Sequence, residues 1–277
     1  MLDVERGHPL AHTHTRIGIG TLTPVLALWW REVIRFVRQP SRVTGALAQP
    51  VVFWLLLGGG LNASFQPAGA PSGTSYVQYF YPGMIVLVLL FTAIFATIST
   101  VEDRRTGFLQ GVLVAPVSRW AVTLGQALGA TSLAVLQGAL CLLLAPFVGI
   151  SVSFGSVLAT LGVLTIVGMA LTSLGLIIAW HMESTQGFHA IMNIILIPIW
   201  LLSGAFFPAS GAPAPLRFLM TVNPLTYGMA AVRECLYLSN PTAAGSLPPL
   251  GLSLAVSLAF CGLAFFAAVR SANRAAR

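Results

Sequence analysis

The chain has 277 residues, of which 56% are hydrophobic and only 8% charged, with a mean hydropathy of +0.86 and a formal net charge of +7. A soluble domain carries about a quarter charged residues, so this composition excludes a soluble domain and points to an all-α, polytopic membrane protein. The positive balance does not point to nucleic acid, because all fourteen basic residues are Arg and their placement follows the apolar segments.

A helical span needs about 20 apolar residues, and six stretches qualify: 43–61, 79–101, 121–145, 155–180, 188–208 and 247–269. Arg6, Arg16, Arg31, Arg35, Arg38 and Arg42 precede the first span. Arg104, Arg105 and Arg119 lie between the second and third, and Arg270, Arg274 and Arg277 follow the sixth. Only Arg217 and Arg233 fall on the other side. An excess of Arg marks cytoplasmic segments, so both termini are expected in the cytoplasm.

Residues 1–21 read as a flexible cytoplasmic tail. They lack the apolar run of a secretory signal, and His8, His12 and His14 read as solvated rather than as a metal site. A single transmembrane domain is expected over 22–277. Residues 22–38 predict an interfacial helix, with Thr23 as cap and Pro24 in the first turn. Arg31, Arg35, Arg38 and Arg42 recur every three or four residues and share one face. Leu26, Trp29, Trp30, Val33 and Val37 supply an apolar face suited to membrane lipid. Two roles stay open for this helix: a topological anchor, or an elbow that couples the leaflet, a partner and the first span. Gln39-Pro40 ends it.

The second span runs into Glu102-Asp103-Arg104-Arg105-Thr106-Gly107-Phe108-Leu109, and the polar segment closes at Val117-Ser118-Arg119-Trp120. Four consecutive charges in so apolar a chain predict a cytoplasmic docking element. Phe108, Leu109, Val112 and Leu113 fall at i, i+1, i+4 and i+5, one face of a short coupling helix. That face suits a groove on a soluble partner, and Glu102, Asp103, Arg104, Arg105 and Arg119 suit its rim. The third span carries Gly125-x-x-x-Gly129, a spacing that permits close helix approach. The turn His181 to Gly187, with His189, reads as a short polar cytoplasmic link rather than as a zinc site. Cys141, Cys235 and Cys261 are scattered and make no disulfide framework, with Cys235 expected outside the spans.

Between 209 and 246, Pro208, Pro213, Pro215, Pro224 and Pro241 interrupt an apolar stretch from Leu216 to Leu238. Asn223-Pro224 is expected to end one short helix and start another. The result is a pair of external half-helices dipping into the outer leaflet, with Arg233 and Glu234 near the external surface.

Glu102, Gly107, Leu109, Leu113, Pro116 and Arg119 form an E-x4-G-x-L-x3-L-x2-P-x2-R pattern between the second and third spans. Asn223-Pro224-Leu225-Thr226-Tyr227, followed by Arg233-Glu234, precedes the last span. Together with six spans and an amphipathic N-terminal helix, these motifs resemble the ABC-2 type permeases of ABC exporters, a family of drug, polysaccharide and nodulation-factor exporters. The resemblance covers the chain from about residue 22. It implies a half-transporter in a bacterial inner (plasma) membrane that pairs with a second permease subunit, expected to be identical. It also implies a separate cytoplasmic ABC ATPase subunit. The chain has no Gly-x4-Gly-Lys-[Ser/Thr] loop and no Lys, so no cofactor is expected in this chain and ATP and Mg belong to the partner. No catalytic or metal site is expected. An amphipathic or lipid-linked substrate is expected because the spans carry almost no charge. A secondary transporter or a non-ABC membrane assembly protein is the alternative; the spans lack the mid-membrane ionisable residue that a secondary transporter usually has.

Overall fold

The computed structural model describes residues 22–40, 44, 48, 52, 56, 75–114, 117–241 and 247–275, with the side chains at 110, 113, 114 and 275 excepted. The elements are α1 (Leu22–Val37), α2 (Tyr76–Arg105), α3 (Phe108–Val114), α4 (Arg119–Leu144), α5 (Phe154–Ala179), α6 (Thr185–Trp200), α7 (Ala214–Val222), α8 (Pro224–Leu236) and α9 (Leu250–Ala275). A 3-10 turn, Ala145–Val148, extends α4, and a π turn, Leu201–Ala205, extends α6. No strand occurs among the described residues.

Serine starts four of the long helices. The side chains of Ser75, Ser118, Ser153 and Ser184 accept from the backbone N–H three residues on, satisfying donors that the first turn would otherwise leave orphaned. Gln78 and Ser156 return the bond to Ser75 and Ser153, completing two capping boxes.

Five helices among the described residues are long and apolar enough to cross a membrane: α2, α4 with its 3-10 turn, α5, α6 with its π turn, and α9. They coincide with five of the six expected spans. The expected span 43–61 lies outside the described residues apart from isolated positions. The described residues form helices and their connections, as expected for an all-α membrane protein.

Helix α2 is the axis of the bundle. Apart from Val77, Gln78, Phe91 and Phe95, every side chain from Tyr76 to Val101 is buried, consistent with a helix that is apolar all round. It packs on α4, α5 and α6. A few polar ties fix its height within the bundle. The Tyr81 hydroxyl donates to the Cys141 carbonyl at 2.6 Å, Thr92 donates to the Gln137 side chain, and Trp200 Nε1 donates to the Gly83 carbonyl at 2.9 Å. Burying these groups is tolerable because each finds a partner. Helix α9 lies across α5 and α8 and leaves Leu252, Leu258, Leu263 and Phe266 exposed, the pattern of a surface that meets hydrocarbon.

The Asn223-Pro224 break forms as expected. Asn223 Oδ1 accepts from the Leu225 N–H at 3.0 Å and caps α8, while Pro224 occupies the first helical position, where no N–H is needed. Asn223 Nδ2 donates to the Ile199 carbonyl at 2.7 Å, anchoring the corner between α7 and α8 to the end of α6.

Candidate functional site

The charged run does not form a loop. Residues 102–105 are the last turn of α2, and the chain turns only at Gly107, whose φ of 77° lies in the left-handed region that glycine enters without penalty. Helix α3 then starts at Phe108.

Most of this turn is used within the chain. Asp103, only 3% exposed, accepts a bidentate pair from Arg31 at 2.7 and 2.8 Å and a third bond from Arg35 Nη1 at 2.8 Å. Arg35 Nη2 donates to Glu102 Oε2 at 2.6 Å. Arg104 turns the other way and donates to the carbonyls of Ala179, Trp180 and Met182, at 3.3, 2.6 and 3.3 Å. A guanidinium at the C-terminal end of α5 meets both the carbonyls at and beyond the last turn and the negative end of the helix dipole. The expected partner-facing rim is therefore corrected. Glu102, Asp103 and Arg104 lock α2 to α1 and α5, while Arg105 is exposed and Arg119 is half-buried at the start of α4.

The apolar face of α3 is corrected as well. Leu109 is 1% exposed and packs with Ala127, Leu176, Trp180, Ala268 and Ala272, where α4, α5 and α9 converge. Phe108 points outward and is 41% exposed, with the Arg31 guanidinium 4.0 Å from its ring centroid. Adjacent helical residues diverge by about 100°, so the i, i+1 pair is split between core and surface. Val112 is half-buried; the Leu113 side chain and Pro116 lie outside the described residues.

Helix α1 is amphipathic, and the stripe it buries against the bundle is separate from the apolar face expected to meet lipid. Val25, Leu28, Glu32 and Phe36 are buried against α4, while Leu26, Trp30 and Val37 are exposed and Trp29 and Val33 half-buried. Gly125 and Gly129 of α4 decide this. A Cβ on Gly129 would lie 2.6 Å from the Glu32 Cβ, and one on Gly125 would lie 2.8 Å from the Leu28 Cβ. The small-residue motif thus brings α1 backbone to α4 backbone, and Trp29 Nε1 ties the pair by donating to Ser132 Oγ at 3.0 Å. Arg31 and Arg35 face α2 in consequence. Arg38 stays exposed, and Arg42 lies outside the described residues.

Glu32, which the sequence reading passed over, is 5% exposed. Burial pushes its carboxyl above the usual carboxylate range, against the opposing pull of Ser99 and Arg31. Hydrogen bonding to Asp103 raises Arg31, which stays charged. The signal for Glu32 was present in the spacing: residues 25, 28, 32 and 36 form one helical stripe.

At the opposite end of the bundle, Arg233 is not at the surface. It is 4% exposed, donates to the carbonyls of Tyr79 and Gly204 at 3.2 Å each, and lies 4.2 Å from the Tyr79 ring centroid. The Tyr79 hydroxyl donates to the same Gly204 carbonyl at 3.0 Å. Gly204, with φ 79°, breaks the π turn after α6, so Arg233 staples α8 to α2 at that break. Cys235 is buried too, and Glu234 is half-buried. Tyr227 donates to the Thr221 carbonyl at 3.1 Å, closing the corner that Asn223 opens. Among the described residues no cluster of His, Cys, Asp or Glu could hold a metal ion.

The description of the ABC-2 type transporter family matches residues 23–237, a stretch that contains both the charged junction and the Asn223-Pro224 corner. Among similar curated proteins, a transport permease named ycf38 from Cyanophora paradoxa is 27% identical over 207 residues, 73% of this chain and 70% of that one. Nodulation protein J of Sinorhizobium fredii is 29% identical over 216 residues, 76% of this chain and 80% of its own length. Nodulation protein J of Neorhizobium galegae is 24% identical over 254 residues, covering 90% and 92%. The match spans well over half the sequence, and the chain belongs to the ABC-2 type transporter family, as a multi-pass membrane permease.

Proposed function

We propose that this permease is the membrane half of an ATP-driven exporter, moved by a separate cytoplasmic ATPase that docks at the charged end of the bundle around α3. The observation that carries the reading is the construction of that end. Helix α3 is rooted in the core through Leu109, clamped to α1 through Arg31, and continuous with α2 through the Gly107 turn. A push on its outer surface bears on four membrane helices, α2, α4, α5 and α9.

The docking surface follows from what remains exposed: Phe108, Arg105, Trp120 and Arg38, joined by His181 and Glu183 of the neighbouring turn. That is an aromatic centre with a charged rim, the composition of a protein interface. The distribution of Arg supports a cytoplasmic position for this end, and a bacterial inner membrane is the location that goes with this reading. The family pairs with ATPase subunits, and ATP and Mg belong to that partner. A second copy of the permease completes the transporter. The interior of the described spans offers Thr, Ser and Gln but no charge between Tyr76 and Val101, which suits an amphipathic or lipid-linked substrate.

Co-purification from the native host in mild detergent tests the reading. A soluble ATPase with a phosphate-binding loop should accompany the wild type and be lost with Phe108→Asp, while the variant permease still folds. A wild-type permease that purifies alone, under conditions preserving other membrane complexes, would refute it.

A further inference from the structure

Glu32 lies where α1, α2 and α4 meet, beside the ion pairs but outside their balance. Arg31 and Arg35 face three carboxyl groups, Glu32 from α1 itself and Glu102 and Asp103 from α2. Asp103 and Glu102 take up both guanidinium groups at 2.6 to 2.8 Å, leaving Glu32 Oε1 a longer contact of 3.1 Å with Arg31. Helix α4 presents Gly129 to Glu32 and adds no titratable group there; α3 adds only the Phe108 ring, under Arg31. An ionised Glu32 would thus be a third anion against two cations already engaged.

The Ser99 hydroxyl bears on the same point. Its oxygen lies 3.0 Å from Glu32 Oε2 and 2.7 Å from the Ala96 carbonyl, and Ser99 is itself 2% exposed. A hydroxyl has one proton, and it can serve only one of these two acceptors. If Glu32 is protonated, both contacts are satisfied at once: Glu32 O–H donates to Ser99 Oγ, and Ser99 O–H donates to Ala96. Its carbonyl oxygen, Oε1, then accepts from Arg31.

We infer that Glu32 is a protonated carboxyl at neutral pH and acts as a proton-responsive latch holding α1 against α2 and α4. While the proton is present, the junction is neutral and each of its contacts is made. When it leaves, one anion is buried without a free cation, Ser99 must abandon one acceptor, and α1 loosens from the Gly125–Gly129 groove. The sign follows for this group: the contribution of Glu32 to the docking of α1 is greatest while the carboxyl is protonated and is lost as pH rises through its raised value. Because α1 also grips Asp103 and Phe108, the protonation state of one residue sets how firmly α1 is joined to the end of α2 and to α3. The inference does not depend on the substrate or on the ATPase.

Two measurements on the full chain in lipid nanodiscs test it. The infrared difference between wild type and Glu32→Gln should contain a carboxylic-acid carbonyl stretch at about pH 7 that fades at higher pH. Hydrogen exchange of the α1 amides, corrected for the intrinsic effect of pH, should rise about threefold or more between about pH 6 and pH 8.5 in the wild type and stay flat in Glu32→Gln. Absence of the acid band, or an equal pH response in both proteins, overturns the inference. If the variant does not fold, the wild type decides alone, since an exchange rate that does not respond to pH refutes the latch.

Discussion

Asp103→Asn is the most informative single change at the junction. The carboxylate accepts three bonds of 2.7 to 2.8 Å from two guanidinium groups while only 3% exposed. Asparagine keeps the shape but loses the charge, and its NH2 would face an N–H donor of Arg31 or Arg35. Three bonds to charged groups at about 1.5–3 kcal/mol each give an upper bound of about 9 kcal/mol. The arginine side chains are 30% and 24% exposed, so water recovers much of their solvation. A net loss of about 2–4 kcal/mol is expected, in line with removal of one partner from a largely buried pair. Unfolding in a mixed-micelle denaturant series reads it, and a cycle with Arg31→Gln should show coupling of about 1–3 kcal/mol. A loss below about 0.5 kcal/mol, or additive single changes, would refute the claim that this pair joins α1 to α2.

Other predictions address the remaining joints. Gly129→Leu should undock α1 by forcing a side chain into the Glu32 Cβ and Cγ, at a cost of about 1–3 kcal/mol, and expose α1 to limited proteolysis. Leu109→Ala should destabilise the bundle by about 2–4 kcal/mol through the cavity it leaves, whereas Phe108→Ala should cost under about 1 kcal/mol and act on partner binding instead. Arg233→Lys should lower the unfolding temperature by several degrees, because a compact, strongly hydrated ammonium loses the stacking of the planar guanidinium on the Tyr79 ring and costs more to bury. The wild type should lose stability as pH rises through the raised value of Glu32 and Glu32→Gln should not, since the contribution of a raised carboxyl is fully present below its unfolded value and is lost above its folded one.

Five span positions were legible in the sequence because an uninterrupted apolar run of about 20 residues admits few other readings. The Asn223-Pro224 corner was legible too, since the cap and the missing N–H are local properties. What failed was the direction of side chains that depend on a distant helix. Phe108 and Leu109 look alike in composition, and only the convergence of α4, α5 and α9 separates core from surface. The Arg stripe of α1 looked like a headgroup contact because Asp103 lies 72 and 68 residues away from Arg31 and Arg35. Arg233 looked external because a lone cation is costly inside a membrane domain, yet backbone carbonyls and a tyrosine ring accommodate it. Glu32 was not evident because it is a lone acid beside the Arg face of α1, although its place on the 25-28-32-36 stripe and the glycine pair of α4 together mark it as buried.

The docking claim is tested most directly by placing a photo-crosslinking amino acid at position 108, and separately at the exposed position 222 at the far end, in the permease within its native membrane. The expected result is an adduct from position 108 with a soluble ATPase carrying a phosphate-binding loop, and no such adduct from position 222. Adducts from position 108 with lipid alone, in cells where the ATPase is present, would contradict the assignment of this end as the site where ATP hydrolysis is coupled to the membrane.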